Sequence, residues 1–303
     1  MYFSLSRVLT VKTMSKGLSV KVGGIVIVVS MFVLGLMWNL SRPKPRELYN
    51  NLIVDTDQEQ LRFIRTNSFV GNLSSVNVEN LTYEQLLTTF HSYPDNTQVL
   101  CQRKMRMGKI GDGGWEICDD PEVRPVPPCI VYSFGINYDF SFDDDTAKSY
   151  GCHVYSFDPS MDEAPDVYDR SSHVHFYKIG IDGQTYTNQN KWKLRTLADI
   201  RRMLGHENKV IDVIKMDVES SEWPAIPDMT SSGAMRDVRQ FLVEYHIVNI
   251  TQESLVTKVK AMQSIEKAGF KIFYTHKNEY NRILVKGFPA ERTQCYEVHY
   301  IRR

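Results

Sequence analysis

Beyond Pro127 the sequence alternates between short apolar segments and amphipathic segments, and this alternation limits the fold more than any other feature. The five apolar segments that we interpret as strands are residues 129–136, 153–160, 175–181, 210–219 and 238–247. Strands that alternate with helices form a parallel sheet that helices cover on both faces. Two more strand-like segments, residues 271–276 and 295–303, follow the last predicted helix.

Two of the intervening segments carry clear helix boundaries. Thr196 is an N-cap residue before an apolar stripe that ends at Gly205, and residues 254–268 repeat the pattern before Gly269. Five strand–helix units, one more helix and two closing strands are the ground plan of class I S-adenosylmethionine-dependent methyltransferases, whereas Rossmann dehydrogenases lack the antiparallel ending. The sequence therefore predicts an α/β fold with a seven-stranded, Rossmann-like sheet.

The first forty residues predict a membrane anchor. Residues 22–40 are uncharged and long enough for one helix to span a bilayer core. A cleaved signal peptide is the alternative, but its apolar part is usually shorter and a small-residue cleavage site should follow. Residues 1–21 contain four basic residues and no acid, but Arg42, Lys44 and Arg46 on the other side nearly balance them, so charge alone does not decide the orientation.

Features downstream of the predicted anchor favour the secretory lumen. Glycosylation patterns begin at Asn72, Asn80 and Asn249, and all five cysteines follow the anchor, where disulfides persist. We therefore predict a single-pass type II membrane protein of the Golgi or endoplasmic reticulum. Beyond residue 21 acidic residues outnumber basic ones, so no nucleic-acid partner is expected.

The predicted lumenal part divides into a stem, residues 41–97, and a catalytic domain, residues 98–303. The stem contains a helix that begins with a capping box formed by Thr82 and Gln85. The domain begins with a glycine-rich stretch, residues 108–120, which precedes the first strand of the alternating pattern. Because a phosphate-binding loop follows such a strand, this stretch predicts a hairpin or lid instead. Cys101 and Cys118 flank it and could form a disulfide.

Candidate cofactor residues follow the first three strands, because ligands of open α/β sheets bind beyond the carboxyl ends of the strands. Gly135 allows a close backbone approach, and Asn137 and Asp139 add polar groups beside it. Asp158 follows the second strand at the distance expected for an acid that accepts hydrogen bonds from ribose hydroxyls. Asp182 follows the third strand and could lie near an adenine edge.

Candidate catalytic residues follow the fourth and fifth strands. Asp217 and Glu219 end the segment "IKMDVE", and Glu244 and His246 lie on one face at the end of the next strand. Carboxylates at a buried strand end are costly unless they are used or paired. These four residues therefore predict an acid–base group or a metal-binding group.

The segment "KMDVESSEW" resembles the K-x-D-V-E-x-x-E-W pattern of FkbM-type methyltransferases. Together with "PCIVYSFGINYDFSFDDD" and "GCHVYSFDPS", it is similar to the animal methyltransferase-like ectodomain family of methyltransferase-like protein 24. The resemblance covers the chain from about Cys101 onward. It implies bound S-adenosylmethionine, with Gly135 and Asp158 at the cofactor and Asp217 at the fourth strand, and it implies no substrate.

The function expected from these features is methyl transfer to an oxygen acceptor, such as a hydroxyl of a glycan or protein. His246 is the predicted general base, oriented by Glu219 or Glu244. If a divalent ion is used instead, Asp217, Glu219 and Glu244 would be its ligands, although no cysteine spacing indicates a metal site. The alternatives are a catalytically inactive interaction ectodomain and a Golgi glycosyltransferase whose acidic motif is residues 143–145.

Overall fold

The computed structural model describes residues 72–248, 250–285, 288 and 290–303. Its α-helices are α1 (Tyr83–Ser92), α2 (Ser141–Tyr150), α3 (Leu197–Met203), α4 (Glu222–Ser231) and α5 (Gln252–Lys267). Its strands are β1 (Lys104–Gly108), β2 (Gly114–Cys118), β3 (Ile130–Phe134), β4 (His153–Phe157), β5 (Val167–Asp169), β6 (Val174–Tyr177), β7 (Gly180–Ile181), β8 (Tyr186–Thr187), β9 (Lys193–Arg195), β10 (Ile211–Met216), β11 (Val238–His246), β12 (Phe270–Lys277), β13 (Arg282–Ile283), β14 (Arg292–Thr293) and β15 (Cys295–Arg302).

Several predictions concern residues outside these ranges. The predicted cytoplasmic tail, the membrane helix of residues 22–40, most of the stem and Asn249 are among them. Within the part of the chain that the structure describes, no helix combines the length and apolar character needed to cross a bilayer.

In the described residues, eight strands form one mixed sheet in the order β12-β15-β11-β10-β3-β4-β6-β5. Strands β6, β4, β3, β10 and β11 are parallel, and β15 lies antiparallel between β11 and β12. The antiparallel ending predicted for a class I methyltransferase fold is confirmed. The sheet has one strand more than the seven predicted, because β5 pairs antiparallel with β6 at the edge. Strand β5 has three residues, none of them buried, so no apolar pattern in the sequence predicts this strand.

The third predicted strand, residues 175–181, is divided in the structure. β6 ends at Tyr177, and Gly180 and Ile181 form β7, which pairs with β9 in a separate three-stranded sheet. Gly180 packs so tightly that an added Cβ would lie 2.7 Å from a Leu194 side-chain carbon. The continuous apolar sequence therefore crosses from one sheet to the next.

The main sheet is covered on both faces, as its alternating side chains require. On β3, Tyr132 and Phe134 face the apolar core that includes residues of α1, α3, α4 and α5. Val131 faces a second core, which includes residues of α2 and of the β1–β2 hairpin. The hairpin therefore covers part of the sheet that helices alone were expected to cover.

Part of the predicted stem belongs to the folded domain. The Leu73 N–H donates to Glu266 of α5 at 2.7 Å, and Gln263 of α5 donates to the Leu73 carbonyl at 2.8 Å. Phe90 of α1 is fully buried and contacts the ring of Trp223 at a centroid distance of 5.8 Å. A boundary at residue 98 would separate these packed elements, so the domain extends at least to residue 72.

The predicted start of α1 and the predicted start and end of α3 are confirmed. Thr82 accepts from the Gln85 N–H and the Gln85 side chain accepts from the Thr82 N–H, which forms the predicted capping box. Thr196 caps α3, and Gly205 follows that helix with a φ of 67°. Both signals depend on local geometry alone, which explains why they are readable from sequence.

We expect Phe90→Ala to lower the free energy of unfolding by about 3–5 kcal/mol, because it leaves a cavity between α1 and the rest of the core. Leu100→Ala is the matched control, since the Leu100 side chain is 67% exposed. The control should change stability by less than about 0.5 kcal/mol. Urea denaturation measures both, and equal effects would refute the inclusion of α1 in the domain core.

Candidate active site

The strongest concentration of chemical groups surrounds His246, the last residue of β11. Its Nε2 atom lies 3.7 Å from Asp217, 3.5 Å from Glu219 and 4.0 Å from Glu244, measured to the nearest carboxylate oxygen. The three acids and the histidine predicted from the sequence are therefore brought together. We call these four residues and Glu222 the His246 cluster.

Glu222, a fixed position of the K-x-D-V-E-x-x-E-W pattern to which the sequence analysis assigns no role, fixes the position of His246. Its side chain is fully buried in α4, and its Oε1 atom accepts the His246 backbone N–H at 2.8 Å and lies 3.3 Å from Nδ1. The neighbouring Trp223 donates its indole N–H to the His246 carbonyl at 2.9 Å. The second acid of "ESSEW" is visible in the sequence, but glutamate is common in the first turn of a helix simply because its charge is favourable there.

A sharp turn between β10 and α4 carries two of the acids. Glu219 and Ser220 both have positive φ, 50° and 83°, a conformation that costs energy for residues other than glycine. The turn leaves the Asp217 side chain 31% exposed and the Glu219 side chain 88% exposed. Glu219 is therefore the carboxylate of the cluster that faces solvent most openly.

The carboxylates control the charge of His246. Burial alone would lower the pKa of His246, but the hydrogen bond and charge of Glu222, with the charges of Glu244 and Asp217, raise it to about 9. Burial and the charge of Asp217 raise the pKa of Glu244 well above its ordinary value. The surrounding acids thus favour the imidazolium form of His246, and its role as a general base stays a prediction.

Gly135 lies against the backbone at the end of β10. With a φ of 78°, a Cβ at this position would lie 1.6 Å from the Asp217 carbonyl oxygen. The Lys215 ammonium group donates to the carbonyls of Gly135 at 2.6 Å and Phe134 at 3.2 Å. Gly135 therefore permits a close approach of two strand ends, and Lys215, the first position of the same pattern and likewise without an assigned role, stabilises that approach.

Asp158 holds the loop that follows β3. Its Oδ2 atom accepts the N–H groups of Ile136 and Asn137 at 2.9 and 2.8 Å, and its Oδ1 atom accepts the N–H and hydroxyl of Ser160 at 2.8 and 2.6 Å. The residue is only 3% exposed. Both carboxylate oxygens are thus engaged within the protein, so a ribose hydroxyl would reach Oδ1 only in place of the Ser160 hydroxyl, which also donates an O–H.

The other predicted cofactor residues lie near these strand ends. Asp139 pairs with Lys109 at 2.8 Å, and Asn137 has a φ of 42° in the same loop. Asp182 accepts the Gly183 N–H at 2.6 Å, and Gly183 packs against the Pro224 carbonyl of α4. Their roles toward a cofactor stay predictions.

The glycine-rich stretch forms the predicted hairpin. β1 and β2 pair antiparallel, and the predicted Cys101–Cys118 disulfide is present at its base. Trp115 is 2% exposed, stacks on His299 at a centroid distance of 5.5 Å and lies 5.4 Å from the Lys215 ammonium group. Trp115 is therefore part of the packing under the site, whereas the hairpin tip contacts the Asp139 loop through Lys109.

The described residues contain a second disulfide, Cys129–Cys152, which joins the chain before β3 to the chain before β4. Cys295 is the unpaired cysteine in the described part of the chain, and it is buried. Burial, with the charges of Glu244 and Glu219, raises the pKa of Cys295 to about 12. A thiol with such a pKa is a poor nucleophile at neutral pH.

The acidic run of residues 143–145 does not offer free ligands. Asp143 is buried and accepts the Ser156 hydroxyl at 2.5 Å, Asp144 pairs with Arg170 at 2.8 Å, and Asp145 accepts the Gly108 N–H at 3.0 Å. Each acid thus stabilises the region around the start of α2. This agrees with a structural use of the acidic run, and the glycosyltransferase stays an alternative prediction.

The geometry defines a class of protein: an α/β chain of the class I methyltransferase type, with an acid-rich site beyond the carboxyl ends of β10 and β11. A family model described as a methyltransferase domain matches residues 55–301. The chain belongs to this family. S-adenosylmethionine is the cofactor that the family implies, and the acidic strand ends and Asp158 fit a ligand with a cationic sulfonium and a ribose.

Two mammalian relatives are similar over most of this chain. "Probable methyltransferase-like protein 24" of Rattus norvegicus is 24% identical over 241 residues, which are 70% of this chain and 64% of the relative. The Homo sapiens protein of the same name is 23% identical over 235 residues, 70% of this chain and 63% of the relative. The chain thus spans under two thirds of the length of these relatives.

Solved methyltransferase structures are more distant. The precorrin-6y C5,15-methyltransferase of Geobacter metallireducens has 7% identity and a TM-score of 0.32, over 60% of this chain and 85% of that one. The antibiotic-resistance methyltransferase Kmr has 11% identity and a TM-score of 0.34, over 66% and 100%. Similarity at this level carries no weight for function.

The charge state of His246 predicts a pH-dependent stability. Its pKa rises from an ordinary 6.5 to about 9 in the folded protein. Its favourable charge is therefore fully present below pH 6.5 and is lost as the pH rises through about 9. In buffer with EDTA, we expect the free energy of unfolding to fall less over this interval in His246→Gln than in the wild type.

Urea denaturation at several pH values measures the difference. His173→Gln is the matched control, because His173 lies just before β6, at the opposite edge of the sheet from the cluster. In the control, the free energy of unfolding should depend on pH as it does in the wild type. A His246→Gln profile parallel to the wild-type profile would contradict the charge assignment.

Proposed function

We propose that this chain is an S-adenosylmethionine-dependent methyltransferase that methylates a hydroxyl group of a glycan or another acceptor. The observation that supports this most directly is the His246 cluster, whose carboxylates lie beside the loop after β3. Family membership over residues 55–301 supports the reaction class.

The charge of the site favours this donor over a phosphate-bearing one. Asp217 and Glu219 bring two carboxylates to the end of β10, beside the loop after β3. Carboxylates oppose the binding of a phosphate, whereas a sulfonium cation is attracted to them. S-adenosylmethionine has a sulfonium and no phosphate.

Bound S-adenosylmethionine supplies an electrophilic methyl carbon; its S–CH₃ bond breaks as an O–CH₃ bond forms, and the electron pair stays on sulfur. The residues of this chain position the reactants and receive the hydroxyl proton. Asp158 is the proposed ribose acceptor, and Gly135, Asn137, Asp139, Asp182 and Asp217 remain the other proposed cofactor residues.

The proposed roles within the cluster differ from the sequence prediction in one respect. Because His246 is protonated at neutral pH, a carboxylate is the better acceptor for the hydroxyl proton. Glu219 is the most exposed carboxylate of the group, so we assign the base to Glu219. His246 and Glu244 then stabilise the charge that develops on the acceptor oxygen beside Glu219 during proton transfer.

Calorimetric titration of the purified full chain with S-adenosylmethionine tests the donor. We expect saturable binding by the wild type and at least tenfold weaker binding by Asp158→Asn, which loses a charged acceptor. Asp162→Asn is the matched control, because Asp162 is an exposed acid that follows the same strand, and it should bind like the wild type. Absence of binding by the wild type would sink the proposal and favour the interaction-module alternative.

We also propose that the domain lies in the secretory lumen, anchored by residues 22–40. Both disulfides support an oxidising compartment. The Asn72 and Asn80 side chains are exposed, as a glycosylation site requires. Membrane and glycan or protein acceptors are the partners that this location suggests.

Expression of the full chain in secretory cells tests this location. We expect Asn72→Gln and Asn80→Gln each to remove one endoglycosidase-sensitive mass step on a gel. Asn208→Gln is the control, because Asn208 is exposed but is followed by Lys209 and Val210, which do not form an acceptor pattern. An unglycosylated wild-type protein would contradict the lumenal assignment.

A further inference from the structure

The Nε2 atom of His246 has no hydrogen-bond partner among the described residues, although the side chain is only 9% exposed. This atom faces three carboxylates, from Asp217, Glu219 and Glu244, at 3.5–4.0 Å. A ring nitrogen that faces three acidic groups at these distances, without a hydrogen bond to any of them, is a potential ligand of a small cation, and the Asp217, Glu219 and His246 ligand atoms all lie within 4.8 Å of one another.

The separations match those of ligands around one ion. Oxygen and nitrogen ligands lie about 2.0–2.2 Å from a small divalent metal, so neighbouring ligands are about 3.0 Å apart in octahedral sites and about 3.5 Å in tetrahedral sites. The Nε2 atom of His246 is 3.5 Å from Glu219 and 3.7 Å from Asp217. These distances are close to the tetrahedral spacing, and for an octahedral ion they are too long by about 0.5 and 0.7 Å, so both carboxylates would move toward Nε2 by that amount on binding.

Glu222 supplies a second, independent feature of metal sites. Histidines that bind metals usually present their other ring nitrogen to a carboxylate, which fixes the ring and its protonation. The Nδ1 atom of His246 lies 3.3 Å from Glu222, which is fully buried. The ring is thus oriented so that Nε2 points at the acids.

We propose that Asp217, Glu219 and His246 bind one divalent cation of the Mn²⁺ type, with Glu244 as a further ligand; the ion takes the place of the Nε2 proton, so that His246 binds it as a neutral imidazole. Carboxylate oxygens with one imidazole suit Mn²⁺ better than an all-oxygen Ca²⁺ site or a sulfur-rich Zn²⁺ site. Glu244, His246 and Cys295 form another group within ligand distance, but all three are buried, whereas the Asp217 and Glu219 side of His246 is open to solvent.

The site lies where the hydroxyl acceptor is proposed to bind, so the inferred role of the ion rests on the proposed function. A hydroxyl bound to the cation would lose its proton more readily, and the proton would pass to the carboxylate oxygen of Glu219 that does not bind the ion, so that Glu219 keeps its proposed role as base while the acceptor oxygen takes the methyl group from sulfur. The substrate class would therefore be hydroxyl acceptors able to coordinate a metal, such as vicinal diols of a glycan.

The test is Mn²⁺ binding by the full chain after EDTA treatment and gel filtration, followed through the electron paramagnetic resonance signal of free Mn²⁺. We expect one Mn²⁺ per chain. Glu219→Gln should weaken binding at least tenfold, and circular dichroism checks that this substitution at an exposed position leaves the fold intact. Glu222→Gln should weaken it about 10–100-fold as a positioning residue.

Glu207→Gln is the matched control, because Glu207 is an exposed acid away from the cluster. This variant should bind Mn²⁺ as the wild type does. Absence of saturable binding, or binding that Glu219→Gln leaves intact, would overturn the metal site. Calorimetry with S-adenosylmethionine in EDTA separates the two proposals. Donor binding without Mn²⁺ binding removes only the metal site, whereas Mn²⁺ binding without donor binding removes only the methyltransferase assignment.

Discussion

The contact between the ends of β3 and β10 determines the arrangement of the whole site. Gly135 packs on the Asp217 carbonyl at a distance that excludes any side chain, and Lys215 links the two strand ends through the Gly135 and Phe134 carbonyls. The loop after β3 and the acid-bearing turn after β10 are therefore fixed relative to each other. A larger residue at position 135 would separate the loop from the acids.

Two other interactions extend this rigid centre outward. Asp158 fastens the loop after β3 to the end of β4, and Glu222 fastens the end of β11 to α4. Each uses a buried carboxylate that accepts backbone N–H groups, which compensates the cost of burying its charge. The strand ends are thus joined by side-chain-to-backbone bonds, and exposed side chains such as Glu219 project from a fixed base.

The sequence predicts the strands and the strand-end acids because both follow from local patterns. Apolar alternation identifies the strands, and the carboxyl ends of parallel strands must meet at one edge, so Asp217 and His246 converge without any knowledge of long-range contacts. Capping by Thr82 and Thr196 is local in the same sense.

Features that escape prediction depend instead on contacts between distant segments. No local pattern reveals that Phe90 packs on Trp223, 133 positions later in the chain, so the sequence alone places α1 in a stem. The charge of His246 escapes prediction too, since a pKa depends on every neighbouring charge and on burial together.

The charge balance of the cluster decides which ligands suit the site. Four carboxylates surround a single imidazole, so even with His246 protonated and Glu244 neutral the remaining acids outnumber the positive charge. Such a group attracts cations and repels phosphates. The same excess of negative charge attracts both the sulfonium of the proposed donor and a divalent ion. Both can bind at the same time only if they occupy different positions in the site. His246 lies at the end of β11, with Glu222 of α4 beside it, whereas the loop after β3 lies on the other side of β10, so the strand ends offer a separate place for each.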